Sequence, residues 1–342
     1  MIYDLIVVGN GLAAQTFLFE LFNQKAAVIK NQNFSVGQIY ADEISPPCSV
    51  RTTATVALSG IEEGISPLGN ELRESYFLFE EFFKKHHPSG IEEVVQYILH
   101  SHPDEEEKLL RRYNHLSSIK SDLLKKEMTG VEMPSYQISP ATFKLWMEEK
   151  LNSFELTRTK NFVRSFEIND RGHVELTLLN GEVHMAKKIL LGTGAYSKIF
   201  SHFFKTEEMA PTGVLSGSYL ERTIDLNRPS FFITLDGQKC VYRSNEKQLV
   251  IGSVSQKGAF LNGDFEGLKA LISLFKNHLA VEIGELDDFK MVTGLRHKGR
   301  QRRPIYKALD PAKNIYMISG FYKNGFTFAH LAAREILKDL SL

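Results

Sequence analysis

The segment from Ile2 to Ala14, IYDLIVVGNGLAA, leaves a folding chain few options. Leu5, Ile6, Val7 and Val8 form a continuous apolar run, the pattern of a strand buried on both faces of a parallel sheet. Gly9 follows at once, then Gly11, then Ala14. That is the G-x-G-x-x-G/A spacing of a dinucleotide-binding turn: the first glycine permits the tight turn, the second lets backbone reach a pyrophosphate, and the small third residue lets helix and strand pack closely. Gln15 to Phe22 is apolar and helix-compatible. Gly9, Gly11, Leu12, Ala13 and Ala14 would therefore meet phosphates at a helix N-terminus, where unpaired N–H groups and the dipole favour anions. The competing reading is an ordinary strand-turn-helix without a ligand.

A chain of 342 residues has room for two domains. Lys plus Arg and Asp plus Glu number 41 each, so no global field points to nucleic acid or a membrane, and any such partner must be met locally. Cys48 and Cys240 are too few for a disulfide framework or a cysteine-based zinc site. His86, His87, His100, His102 and His115 are irregularly spaced among charged residues and read as solvated helix faces, so no metal is expected. No apolar run approaches the ~20 residues of a membrane span. The N-terminus has no basic leader pattern, which predicts a cytoplasmic protein without a membrane partner.

Ala26 to Ile29 (AAVI) reads as the second parallel strand of a β-α-β unit. Such a strand usually ends in an acidic residue about 20 positions after the glycines, which binds ribose. Lys30 stands there instead; it accepts no hydrogen bond from ribose but could meet a phosphate. Cys48 to Thr55 packs hydroxyls around Arg51, a set suited to a diphosphate or to a capped surface loop. Residues 71–128 predict two or three helices outside the nucleotide fold, and Pro140 opens another. Asn161 to Leu179 alternates as antiparallel strands do, with hairpin turns at Asn169–Gly172 and Asn180-Gly181. Lys188 to Ser197 (KILLGTGAYS) is a buried strand ending in a glycine pair. Residues 211–260 alternate again, and Asn314 to Ser319 is an apolar strand leading through GFYKNGFT to a last helix.

Four blocks together resemble the flavin-dependent D-amino-acid-oxidase superfamily, most closely its glycine oxidase and sarcosine oxidase branch. They are DLIVVGNGLAA, SVRTTAT, ILLGTGAYS, and the stretch from Gly294-Leu295-Arg296 through Pro304 to NIYMISGFYKNGFTFAHLAAREIL. The resemblance implies an α/β, two-lobed (α+β) fold: a Rossmann-like FAD-binding domain with a parallel sheet (1–70, 135–205 and 295–342) and an antiparallel-sheet substrate or cap domain (71–134 and 206–294). It implies non-covalent FAD. Gly9 to Ala14, Lys30, Arg51, Thr52 and Thr53 would serve the phosphates and flavin edge, and Val163 the adenine through its backbone. Gly192, Thr193 and Gly194 would lie beside them. Gly320, Lys323, Asn324, Gly325, Phe326 and Thr327 would border the ring, with the last helix aimed at its O2 locus.

The chemistry implied is oxidation of a C–N bond in an amino acid or N-substituted glycine, by hydride transfer to flavin N5, imine hydrolysis and reoxidation by O2. Arg296 matches the arginine that pairs with the substrate carboxylate, a task its two-pronged guanidinium suits. Lys323 would hold the anionic reduced ring, and Tyr242 would supply a substrate-site tyrosine if it fills in for the one missing at Cys240. Two departures stand out: Ala329-His330 replaces Ala-Pro, and residues 297–307, from HKGRQRRP through Lys307, are strongly basic. That patch is either a solvated loop or a contact for an anionic macromolecule such as tRNA, since one branch of the superfamily oxidises a tRNA wobble-uridine side chain. A flavoprotein without amine oxidase activity is the third reading.

Overall fold

The computed structural model describes residues 2–31, 33–58, 67–113, 115–200, 213–258 and 262–340. The chain divides into two compact units: Met1–Val50, Ala141–Leu215 and Leu295–Leu342 form the first, Arg51–Pro140 and Ser216–Gly294 the second. The expected outline differs at its edges. Residues 51–58, 67–70 and 135–140 fall in the second unit, where strand Thr55–Ala57 pairs with Met128–Ile138. Gly213 to Leu215 fall in the first, and the expected boundary near 205 lies outside the described residues.

In the first unit, strand Ile2–Val8 lies between Val183–Leu191 and Val36–Tyr40 and is parallel to both. Leu5, Ile6 and Val7 are fully buried, as a strand covered on both faces requires. The sheet continues through Ile315–Ser319 to Ile305–Ala308 on one side and to Thr157–Lys160 on the other. The hairpin Val163–Ile168 and Val174–Leu178 turns at Gly172, whose φ of +77° suits a residue without Cβ.

The second strand is not where the sequence placed it. Ala26 to Ile29 belong to the helix Leu12–Asn31, which continues past a non-helical Lys25. The strand is Val36–Tyr40. Both stretches are short apolar runs, and periodicity alone does not separate a strand from the end of a helix. Burial does: Val36 to Ile39 are buried, whereas Ala26 to Ile29 are exposed or half-buried. Gly37 is the local signal, because a Cβ there would press on the Tyr3 and Ile6 side chains at 3.3 Å. Lys30 therefore sits in the last turn of a helix, away from the end of the second strand.

The second unit is built on a nine-stranded sheet in which Gly213–Thr223, Gln248–Lys257, Gln238–Arg243 and Phe231–Leu235 pair antiparallel in turn, and Phe231–Leu235 lies parallel to Ile91–Leu99. One face carries the helix Phe265–His278. Leu268, Leu271, Ile272 and Phe275 recur at helical spacing and bury against Ile233, Leu249 and Ile251. Asp264 caps that helix by accepting from the Gly267 amide at 2.9 Å.

The first helix packs on the last, Gly325–Asp339, through a buried polar contact. His330 Nδ1 lies 2.7 Å from Glu20 Oε1, with both side chains nearly inaccessible, and Arg334 is 3.5 Å away. Burial pushes the Glu20 carboxyl up, but the hydrogen bond and charge of His330 and the charge of Arg334 outweigh it and hold the pKa at about 2. Because that lies below the ordinary 4.5, the stabilisation is complete above pH 4.5 and is lost as pH falls toward 2. Glu20→Gln is expected to cost about 2 kcal/mol at pH 7. Urea unfolding at pH 7 and pH 3 checks this; the gap from wild type should narrow at the lower pH.

Candidate active site

At the carboxyl end of the first strand, three small residues hold the backbone together. Gly9 has φ +122°, and a Cβ there would meet the Gly192 carbonyl oxygen at 2.5 Å. A Cβ on Gly192 would meet the Ala14 Cβ at 2.8 Å. Above Gly11 the space is looser, with Pro47 Cβ at 3.6 Å as the nearest atom. Gly9, Gly11, Ala14 and Gly192 thus converge where the helix Leu12–Asn31 starts. Ser49 Oγ takes the Leu12 amide at 3.2 Å, and the following first-turn amides of Ala13 and Ala14 have no intrahelical acceptor.

A second helix begins beside the first. An added Cβ on Gly325 would lie 3.7 Å from Leu12 Cδ2, so the starts of the first and last helices are neighbours. The Asn324 side chain makes no capping hydrogen bond, which leaves the amides of Gly325, Phe326 and Thr327 without that partner. Two positive dipole ends meet at one place. This donor set fits the diphosphate and the electron-rich edge of a flavin dinucleotide.

The Gly192 and Gly320 segments are tied by hydroxyls. Ser319 Oγ donates to the Gly194 carbonyl at 3.2 Å and receives Ser197 Oγ at 3.5 Å; Thr193 and Ser197 hydroxyls are 2.8 Å apart. His297 Nδ1 stands 2.7 Å from Ser319 Oγ. Since that hydroxyl gives its one proton to Gly194, Nδ1 carries the hydrogen and donates. Nε2 is then a buried lone pair with no hydrogen-bond partner. Burial, aided by the Lys198 charge, pushes the His297 pKa down to about 4, so the ring is neutral near pH 7. His297 is therefore part of the scaffold and not of the basic surface that the sequence suggested.

Arg296, one position earlier at the end of strand Lys290–Lys298, is buried, at 6% exposure. Lys323 keeps solvent access but is crowded by protein, and that crowding, with the charges of Arg296 and Arg302, lowers its pKa. Arg296, Arg302 and Lys323 are thus electrostatic neighbours within the first unit. Val163 opens the hairpin strand with its side chain in the core of that unit.

Three expected site residues belong to the second unit: Arg51, Thr52 and Thr53. Thr53 packs on Gly252, and its carbonyl accepts from Arg243 at 2.8 Å. Tyr242 is not available for catalysis. Its ring packs at a tilt against Phe231 in the core beneath the helix Phe265–His278, and its hydroxyl accepts the Leu226 amide at 3.1 Å. Strand alternation is the reason, since Cys240 and Tyr242 share the core face and Val241 and Arg243 the other. Burial also raises the Cys240 thiol pKa.

Sequence reasoning missed Asn10. Its Oδ1 accepts from Gln15, Gln38 and Arg158, each at 3.2 Å, and its Nδ2 donates to Asp42 at 3.0 Å. Asp42, paired with Lys144 at 2.8 Å, is the acidic residue just past the true second strand. Correct placement of that strand would have found it.

A family model described as "FAD dependent oxidoreductase" matches residues 4–338. The chain belongs to this FAD-dependent oxidoreductase family. Solved structures of similar fold include glycine oxidase from Bacillus cereus (TM-score 0.80, 15% identity, covering 99% of this chain and 97% of that one). FAD-bound L-α-glycerophosphate oxidase from Mycoplasma pneumoniae gives a TM-score of 0.81 at 13% identity, covering 100% and 95%. Iminodiacetate oxidase from Chelativorans sp. gives 0.75 at 15%, covering 97% and 94%. No curated protein sequence matches the chain. As a member of this family the protein uses FAD, and no helix among the described residues is long and apolar enough to cross a membrane.

Two measurements test this geometry. Gly192→Ala forces a Cβ onto Ala14 and is expected to leave the purified oxidoreductase largely colourless, read as the ratio of flavin to protein absorbance. His297 resists protonation, so its contribution to stability is complete above pH 6.5 and is lost between 6.5 and about 4. Wild type should lose up to roughly 3 kcal/mol of unfolding free energy across that interval, and His297→Gln should flatten the slope.

Proposed function

We propose that this oxidoreductase oxidises the C–N bond of a small amine bearing a carboxylate, an amino acid or N-substituted glycine, with Arg296 as the anchor of that carboxylate. The observation that carries the reading is the buried Arg296 guanidinium in the same electrostatic cluster as Lys323, which leads into the uncapped start of the last helix. A desolvated guanidinium binds a carboxylate through two parallel charge-assisted hydrogen bonds, and so fixes the orientation of the carbon to be oxidised. Glycine oxidase and iminodiacetate oxidase, named among the structures of similar fold, act on molecules of this type.

When bound, FAD supplies the two-electron acceptor for the hydride, with O2 as the reoxidant proposed. The chain's own residues supply placement. Gly9 to Ala14 would hold the diphosphate, Asp42 would take over from Lys30 as acceptor for ribose hydroxyls, and the Val163 backbone would meet adenine. Thr193 and Gly194 would flank the nucleotide. Gly320 to Thr327 would border the ring, where the helix dipole and Lys323 favour the negative charge of its reduced form. The oxidised product is an imine, which water hydrolyses to a carbonyl compound and an amine. His297 holds the Ser319 hydroxyl through Nδ1 and the Tyr322 amide through its carbonyl.

Anaerobic titration tests the reading. Glycine or sarcosine should bleach the flavin of wild type, and Arg296→Ala should slow that bleaching by at least about a hundredfold, as loss of a buried charge pair implies. Undiminished reduction in the variant would remove Arg296 from its role.

A further inference from the structure

Arg296 alone accounts for one carboxylate, yet more cations gather beside it. The segment 297–302 is paired with 320–322: Lys298 bridges to Phe321, the Gly299 amide donates to Gly320 at 3.4 Å, and the Tyr322 amide donates to His297 at 3.0 Å. Between the two segments, the Tyr322 ring carries the Lys298 ammonium at 5.8 Å and the Lys323 ammonium at 5.7 Å from its centroid. Tyr322, Gln301 and Arg302 all hold left-handed backbone, with φ of +55°, +52° and +66°. Residues other than glycine adopt this at a cost, and clusters of it mark functional sites.

Among the described residues, Lys298, Arg302 and Lys323 have no carboxylate within ion-pair distance. The chain as a whole has as many acids as bases, so the imbalance is local. His297 is neutral and adds nothing to it.

We propose that Lys298 and Lys323 on the Tyr322 ring, together with Arg302 of the 297–302 segment, form a second anion subsite beside Arg296, so that the substrate is an amine carrying two acidic groups. This rests on the amine oxidase reading and narrows it. One acidic group pairs with the buried guanidinium, and the other meets the accessible cations on the paired segments. A second carboxylate and a phosphonate or phosphate share the required chemistry. A polynucleotide would use the same charges differently, as successive phosphate contacts with little preference for a small dianion.

Calorimetric titration of the FAD-loaded full chain at low ionic strength tests the subsite without relying on turnover. Iminodiacetate and N-(phosphonomethyl)glycine are the dianionic probes, and sarcosine is the monoanionic reference. At least one dianion should bind ten times more tightly than sarcosine, and the preferred one identifies carboxylate or phosphonate as the second group. Lys298→Gln combined with Arg302→Gln should reduce that ratio below threefold, whereas Arg171→Gln, at a distant exposed turn, should leave it unchanged. Equal affinity of sarcosine and both dianions in wild type would overturn the subsite, as would absence of binding by any probe. So would salt-sensitive retention of tRNA that the double variant abolishes while the small dianions show no advantage. The two readings fail separately. A dianion preference with no flavin bleaching by any amine defeats amine oxidation alone, and bleaching by sarcosine without that preference defeats only the subsite.

Discussion

The close approach of Gly9, Gly192 and Ala14 is the contact on which the rest of the first unit depends. Parallel pairing of Ile2–Val8 with Val183–Leu191 brings two strand ends to the same level, with Val8 opposite Leu191. The first helix must start within one turn of that edge, and a side chain at either glycine would occupy space already taken by backbone or by Ala14. Once the first helix is placed, the last helix is placed with it, because Glu20 and His330 pair in their shared interface. Two helix starts become neighbours, and their unpaired amides supply a positive field that no charged side chain had to provide.

Charge is treated in opposite ways in the interface and in the site. Glu20 is buried with the His330 imidazole at 2.7 Å and the Arg334 guanidinium at 3.5 Å, so its carboxylate is met inside the protein. Ahead of the last helix the reverse holds: burial, with the charges of Arg296 and Arg302, lowers the Lys323 pKa, and His297 is kept neutral beside them. A cluster of like charges is stabilised when a bound anion completes it. The diphosphate, the reduced flavin and the substrate's acidic groups are the anions that the proposed function brings.

The sequence revealed the features set by local sterics. The glycine turn, the hairpin at Asn169–Gly172 and the apolar strands at Ile2–Val8 and Ile315–Ser319 all follow from rules that act within a few residues. What it concealed was set by tertiary burial. Ala26 to Ile29 carried a strand-like composition but lay beyond a break at Lys25 that kept them helical and partly exposed. That error carried Lys30 into the site and left Asp42 out. Tyr242 was misjudged because only the pairing of its strand decides which face a residue takes, and Phe231 opposite Tyr242 fixes that face as core.

Arg243 shows how one buried guanidinium organises a segment: it donates to the Thr53 carbonyl at 2.8 Å and to Gln248 Oε1 at 2.6 Å. It therefore fastens the 51–53 segment to the sheet of the second unit. Asn10 does the same at the nucleotide turn, gathering Gln15, Gln38, Arg158 and Asp42 around one amide where the turn itself needs only a small residue. The glycines set the close backbone approach at the nucleotide turn. Residues such as Arg302 and Lys298 lie outside that steric requirement, so it is there that a difference in substrate can be written without disturbing the turn.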